Sequence, residues 1–215
     1  MKLFDLDGTL IDSNGVWQEV DYRFLSAHGL ECTSEYLNTV GHSIFPTAAQ
    51  FTKDYYHLDI SPQAIMDEWL FLARDAYEHY IPLKPGVRAF LAQEAAKGET
   101  LALVSACVPE LGHAVLDRHG LTPLFRYLVF AQELGLEKRD PRFFHQVLDL
   151  LGVIPAACTF YEDAPENCIT GKKMGMTVVG VLDPFYANEA ERMVQVCDRC
   201  ITDFTELLNQ SFVMC

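Results

Sequence analysis

Past Pro85 the chain repeats one pattern: short apolar runs with no polar alternation, each followed by an amphipathic helical stretch. The runs fall at 101–106, 127–131, 158–161 and 177–182, with a short one at Ile201. A strand apolar on both faces has to be covered on both faces, and a parallel sheet with helices on its two sides meets that demand. Helices are expected over 86–97, 108–119, 141–151, 167–175 and 188–196. Gly98 suits the end of the first, and Pro141 opens the third, where a missing N–H leaves no helical bond unmade. Residues 2–6 supply a first strand to the same sheet.

Between that first strand and the rest the periodicity is helical throughout. Val16, Trp17, Val20, Phe24 and Leu25 recur at three- and four-residue spacing until Gly29, and similar patterns cover 33–41, 45–57 and 62–80. The expected architecture is therefore α/β: a Rossmann-like three-layer core with a parallel sheet, residues 1–13 and 83–215, plus an inserted all-helical cap domain, residues 14–82. A chain of 215 residues with half its residues hydrophobic can bury such a core.

Charge narrows the partners. Asp and Glu number 30 against 16 Lys and Arg, a formal net charge of -14. Nucleic acid is excluded as an expected partner, because a polyanion is drawn by clustered cations and no basic stripe or tail exists. An anionic membrane surface is disfavoured for the same reason. The opening MKLFDLDGTL is broken by two aspartates, and no stretch reaches the roughly 18 apolar residues of a spanning helix. Seven cysteines at scattered positions suit reduced thiols, so a cytoplasmic protein, monomer or weak homodimer, is expected. Cys197 and Cys200 form a lone CxxC with no second pair to complete a zinc set, and no role is expected of it.

In open parallel sheets ligands bind beyond the carboxyl ends of strands. Asp5 and Asp7 follow the first expected strand, Ser105 ends the second, Lys138 lies in the loop after the third, and Glu162 with Asp163 follows the fourth. Singly each has an ordinary explanation: Asp7-Gly8 is a turn signal, Lys138 a surface lysine, Ser105 a satisfied core hydroxyl. Together they converge on one crevice, which no structural role explains.

The stretch Phe4-Asp5-Leu6-Asp7-Gly8-Thr9-Leu10 resembles the first motif of the haloacid dehalogenase-like superfamily. Ser105 in Leu-Val-Ser-Ala, Lys138 in Lys-Arg-Asp-Pro and Glu162-Asp163 in Tyr-Glu-Asp-Ala resemble the three that follow, in order. The resemblance implies a phosphoryl-transfer enzyme with a helical cap of the C1 type. By it Asp5 is the nucleophile that forms an aspartyl-phosphate, and Asp7 is the acid to the leaving oxygen and then the base to water. It implies that Gly8, Thr9, Ser105, Ala106 and Lys138 bind the phosphoryl group. It further implies Mg²⁺, a hard cation taking oxygen ligands, held by Asp5, Asp7 and Asp163 with Glu162. The Thr9 hydroxyl is expected to orient the Asp7 carboxylate. Arg139 and Asn167 depart from the family's commoner proline and glycine, without removing a chemical group. Asp7 itself sets the chain with the phosphate-handling branch.

Substrate choice falls to the cap. Trp17 is expected beside the active-site loop, as a contact to the leaving group or as cap core; His42 follows Gly41 in the inter-helix loop that the resemblance to C1 caps turns toward the site, with a surface histidine as the equal alternative. The cap's cations Arg23, Lys53 and Arg74 lie off the apolar stripes, with Arg23 and Arg74 spaced for solvated pairs with Glu19 and Glu78. The expected function is a Mg²⁺-dependent phosphomonoesterase acting on a small phosphorylated metabolite. A phosphomutase of the β-phosphoglucomutase type and a non-enzymatic phosphate-sensing module are the alternatives.

Overall fold

The computed structural model describes residues 1–41 and 43–208; His42 and the end of the expected core, 209–215 with Cys215, lie outside the described residues. Six short strands are present: β1 (Lys2–Phe4), β2 (Leu101–Ser105), β3 (Tyr127–Phe130), β4 (Thr159–Glu162), β5 (Thr177–Val181) and β6 (Arg199–Ile201). They form one sheet in the order β3-β2-β1-β4-β5-β6, and every neighbouring pair is parallel. The chain winds outward from β1 through β2 to β3, then returns to β4 on the other side of β1. That reversal opens a crevice at the carboxyl end of β1.

Alternate residues of the strands serve two cores. Phe4, Leu103, Tyr161 and Val179 share one apolar cluster with Phe90 of α5 (Val87–Ala96) and Val115 of α6 (Pro109–Arg118). Phe4 stacks on Tyr161 with ring centroids 4.6 Å apart. Leu3, Ala102, Val104, Phe160 and Val178 face the other way. They pack with α7 (Ala131–Leu134), α8 (Pro141–Leu151), α9 (Pro165–Lys173) and α10 (Ala190–Val196). A last turn, α11 (Thr205–Leu208), adds Leu207 and Leu208 to the first cluster.

Residues 14–80 hold α1 (Asn14–Ala27), α2 (Ser34–Val40), α3 (Phe45–Tyr56), α4 (Pro62–Asp75) and a π-helical turn, Ala76–Tyr80. Side chains cap the starts of α2 and α4: Thr33 Oγ1 accepts from Tyr36 N–H at 3.1 Å, and Ser61 Oγ from Ala64 N–H at 3.1 Å. Chain entry and exit run side by side, with Ile11 bridging Leu83 antiparallel, Asp12 N–H donating to Pro82 and Lys84 N–H to Leu10. Among the described residues no helix is long and apolar enough to cross a membrane.

The expected periods hold with local differences. β1 stops at Phe4 because residues 7–11 turn back on themselves, Gly8 N–H donating to Ile11. The helix expected over 62–80 finishes as the π-turn, and the one expected at 188–196 opens as a 3₁₀ stretch, Pro184–Glu189. Arg74 bonds Glu110 of α6 at 2.5 Å rather than Glu78, tying α4 to the sheet's helical layer.

Candidate active site

Asp5 is the first residue past β1, and its N–H still donates to Tyr161 at 3.0 Å, so the central strand holds its backbone on one side. Its carboxylate is buried, with Lys138 Nζ donating to Oδ1 at 2.5 Å. Lys138, also buried, bonds Glu162 Oε2 at 2.5 Å, and Glu162 Oε1 accepts from Ala164 N–H at 3.0 Å. Asp163 accepts from Asn14 Nδ2 at 2.9 Å and from the Thr9 hydroxyl at 3.2 Å. The Thr9 hydroxyl thus orients Asp163, not Asp7 as expected.

Gly8 explains how Asp163 comes so close. Its φ is +75°, a conformation that favours glycine, and a Cβ there would stand 2.0 Å from Asp163 Oδ2. The turn therefore passes directly beneath the carboxylate, which no other residue permits without displacing it.

Asp7 is held apart from that group. Ser13 Oγ donates to its Oδ1 at 2.7 Å, and the hydroxyl of Tyr77, on the π-turn, donates to the same oxygen. Trp17 Nε1 in turn donates to the Tyr77 hydroxyl at 2.7 Å. Trp17 also packs edge-on against Phe45, at 5.8 Å, so it is at once packed and part of the site.

Electrostatics mark the cluster as short of positive charge. Burial, then the Glu162 charge, pushes the Asp5 carboxyl up to about 7 despite Lys138. Burial and the neighbouring Glu162 and Asp5 charges raise Asp163 well above the usual range. Burial works against the Lys138 ammonium, but Asp5 and Glu162 outweigh it and hold it firmly protonated. Burial also raises Asp7, against the hydrogen bonds from Tyr77 and Ser13. Ligand oxygens of Asp5, Glu162 and Asp163 all lie within 4.8 Å of one another. Three buried carboxylates, two of them paired with the one lysine, leave charge that a divalent cation would complete, and their oxygen donors suit a hard ion of that kind. Asp7, expected as a further ligand, is outside this group.

A cavity of about 190 Å³ joins these residues to the helices. Asp5, Asp7, Lys138, Glu162 and Asp163 line its floor with Ala106 and Cys107; Trp17, Gln18, Asp21, Phe45 and Trp69 line the helical side. Gly8, Thr9 and Ser105 stand behind the floor, the Ser105 hydroxyl accepting from Cys107 N–H at 3.0 Å. His42 lies outside the described residues. Sequence reasoning missed Tyr77, Asn14, Asp21 and Cys107. Asn14 had a signal, sitting beside the Asp12-Ser13 turn; Tyr77 on an apolar stripe had none.

Known proteins resemble the chain over most of its length. Hexitol phosphatase B of Escherichia coli (strain K12) is 27% identical over 207 residues, 95% of this chain and 92% of that protein. Phosphoglycolate phosphatase of Pseudomonas putida is 28% identical over 189 residues, 84% of this chain and 68% of that one. The crystal structure of β-phosphoglucomutase from Clostridium difficile superposes with a TM-score of 0.78 at 17% identity, covering 96% of this chain and 92% of that one, a likeness of fold alone. The family model described as haloacid dehalogenase-like hydrolase matches residues 2–181, from β1 to the end of β5, and so takes in Asp5, Lys138 and Asp163 together. That match spans most of the chain, and the chain belongs to the haloacid dehalogenase-like hydrolase family.

Proposed function

We propose that the chain hydrolyses small phosphate monoesters with Asp5 as nucleophile, Asp7 as acid and base, and Lys138 as the phosphoryl clamp. The observation that carries the reading is the meeting of Asp5 and Lys138 at 2.5 Å on the floor of a cavity that Asp7 also lines. Phosphoryl transfer asks a protein chiefly for an aligned attacker and positive charge around the oxygens. In the first step an Asp5 oxygen bonds to phosphorus, the bond to the leaving oxygen breaks, and Asp7 gives that oxygen its proton. In the second, water attacks phosphorus, Asp7 takes the water's proton, and the Asp5–phosphorus bond breaks to free phosphate. Ser13 and Tyr77 keep the Asp7 carboxyl in place through both. Asp5 and Asp163, with Glu162 beside them, would hold Mg²⁺, which when bound supplies charge that offsets the phosphoryl oxygens.

The helices of residues 14–80 serve in this reading as the cap that closes the cavity over the leaving group. Full-length relatives named as phosphatases support hydrolysis over the mutase alternative, and so does the charge of the cavity. A mutase must hold a second phosphate, yet Lys138 is the one cation among the described lining residues. Asp5→Asn, nearly isosteric but a poor nucleophile, should abolish phosphate release from p-nitrophenyl phosphate while circular dichroism stays native. Chelator should stop the wild type and Mg²⁺ restore it. Retained turnover by folded Asp5→Asn would sink the mechanism.

A further inference from the structure

We propose that the helical wall of the cavity is a binding site for a polyhydroxylated leaving group, with Asp21 as the residue that reads its hydroxyls. The inference rests on the phosphatase reading above and narrows its substrate class.

Trp17 and Asp21 are one helical turn apart on α1, and both line the cavity with Gln18 between them. Asp21 is not a solvated surface carboxylate. The hydroxyl of buried Tyr36 donates to its Oδ1 at 3.2 Å, and that hydroxyl is 3.1 Å from Thr52 Oγ1, also buried. A built anchor of this kind fixes one carboxylate oxygen while the group still borders the cavity. Burial, only partly offset by Tyr36, pushes the Asp21 carboxyl up to about 7, so further donors from a ligand would be favourable.

Gln18, between Trp17 and Asp21, adds a second polar group, so the wall offers an acceptor at Asp21 and both a donor and an acceptor at Gln18. A hydroxyl donates and accepts and can match such a set; a carboxylate or a second phosphate only accepts.

Beside Asp21 charge works against an anionic leaving group, and Arg192, which lines the adjoining cavity, is paired with Glu166 and Glu189. Of the cations on the helices, Arg23 is exposed, Lys53 is spent on the carbonyls of Leu58 and Ile60 at 3.0 and 2.7 Å, and Arg74 on Glu110. A second anion on the substrate would meet Asp21 with no counter-charge. There is also length to spare, because Gln18, Leu37, Gly41, Phe185 and Tyr186 line both this cavity and an adjoining one of about 330 Å³.

The test compares kcat/KM for sorbitol 6-phosphate, p-nitrophenyl phosphate and 2-phosphoglycolate in the wild type, Asp21→Leu and Tyr36→Phe. The wild type should prefer sorbitol 6-phosphate over 2-phosphoglycolate by about tenfold or more. Asp21→Leu should lower the ratio of sorbitol 6-phosphate to p-nitrophenyl phosphate roughly tenfold, chiefly through KM, as expected when a site loses the partner of a substrate hydroxyl. Tyr36→Phe, which keeps the carboxylate but frees it, should move the ratio the same way by less. A purely structural Asp21 would depress all three esters together and leave the ratio alone, which overturns the proposal, as does a wild type that prefers 2-phosphoglycolate. If the wild type hydrolyses none of the three, the phosphatase reading fails instead. Calorimetric binding of sorbitol 6-phosphate against 2-phosphoglycolate then decides the wall by itself: tighter sorbitol 6-phosphate supports it, and the reverse or no binding overturns it.

Discussion

Asp7 receives two hydroxyls from distant parts of the chain, Ser13 before α1 and Tyr77 on the π-turn, and both reach one oxygen. Such bonds favour the ionised form, so without Tyr77 the carboxyl rises further and is less firmly aimed. Tyr77→Phe should lower kcat about tenfold, the kinetic equivalent of a charge-assisted bond worth about 1.5 kcal/mol, and shift the pH–rate profile upward. An unchanged profile would show that the hydroxyl only packs. Asp21 makes a stability prediction at the same scale. Its folded carboxyl titrates near 7 against an ordinary 3.8, so in that window the native state holds a proton that the unfolded chain has released. Wild-type stability then falls as pH rises through the window. Asp21→Asn cannot ionise, so its Tm should gain on the wild type between about pH 4.5 and 8; a pH-independent difference would contradict the buried carboxyl. The residues legible from sequence were those that follow parallel strands, where topology alone brings Asp5, Lys138 and Asp163 together. Tyr77 and Asp21 were not, because a tyrosine on an apolar stripe reads as core and an aspartate on a helix reads as solvated.

Elements were the most legible level, since unalternating apolar runs, a 3.6-residue period and a proline start need only local sequence. Pro141–Leu151 forms over the expected residues, with five apolar side chains on one buried face. Tertiary contacts governed what was missed: the single turn α7 packs under the sheet edge, and the π-turn inserts a residue where α4 must aim Tyr77 at Asp7. Packing also overrides propensity at Gly112 in α6. A Cβ there would stand 2.6 Å from the ring of Phe130, a fully buried side chain of β3. Alanine improves helix propensity by about 1 kcal/mol, but overpacking costs roughly 1–3 kcal/mol. Gly112→Ala should therefore leave the protein no more stable and more often about 1 kcal/mol weaker in urea; clear stabilisation would show that α6 can shift off the sheet.

At the scale of the molecule the excess of acidic groups makes each buried cation consequential. Lys138 serves the site, and Lys84 serves the join between sheet and helices. Lys84 lies where the chain returns from the helical stretch, its N–H bonded to Leu10 and its ammonium paired with Asp183, both side chains buried. Asp183 follows β5, and its other oxygen accepts from Phe185 N–H at 2.8 Å, ordering the loop whose Phe185 and Tyr186 border the cavity. The pair thus ties the return linker to the rim of the site. Breaking one side leaves an uncompensated buried charge, which typically costs about 3–5 kcal/mol, whereas removing both charges is far milder. Lys84→Met should lower unfolding free energy in urea by about 3 kcal/mol, and adding Asp183→Asn, which deletes the charge but keeps an acceptor for Phe185, should recover most of that loss. The double variant should also regain KM for its best ester if the loop returns to place. Additive losses in the two variants would mean that the two groups are not coupled, and that the rim is held by Phe185 and Tyr186 packing instead.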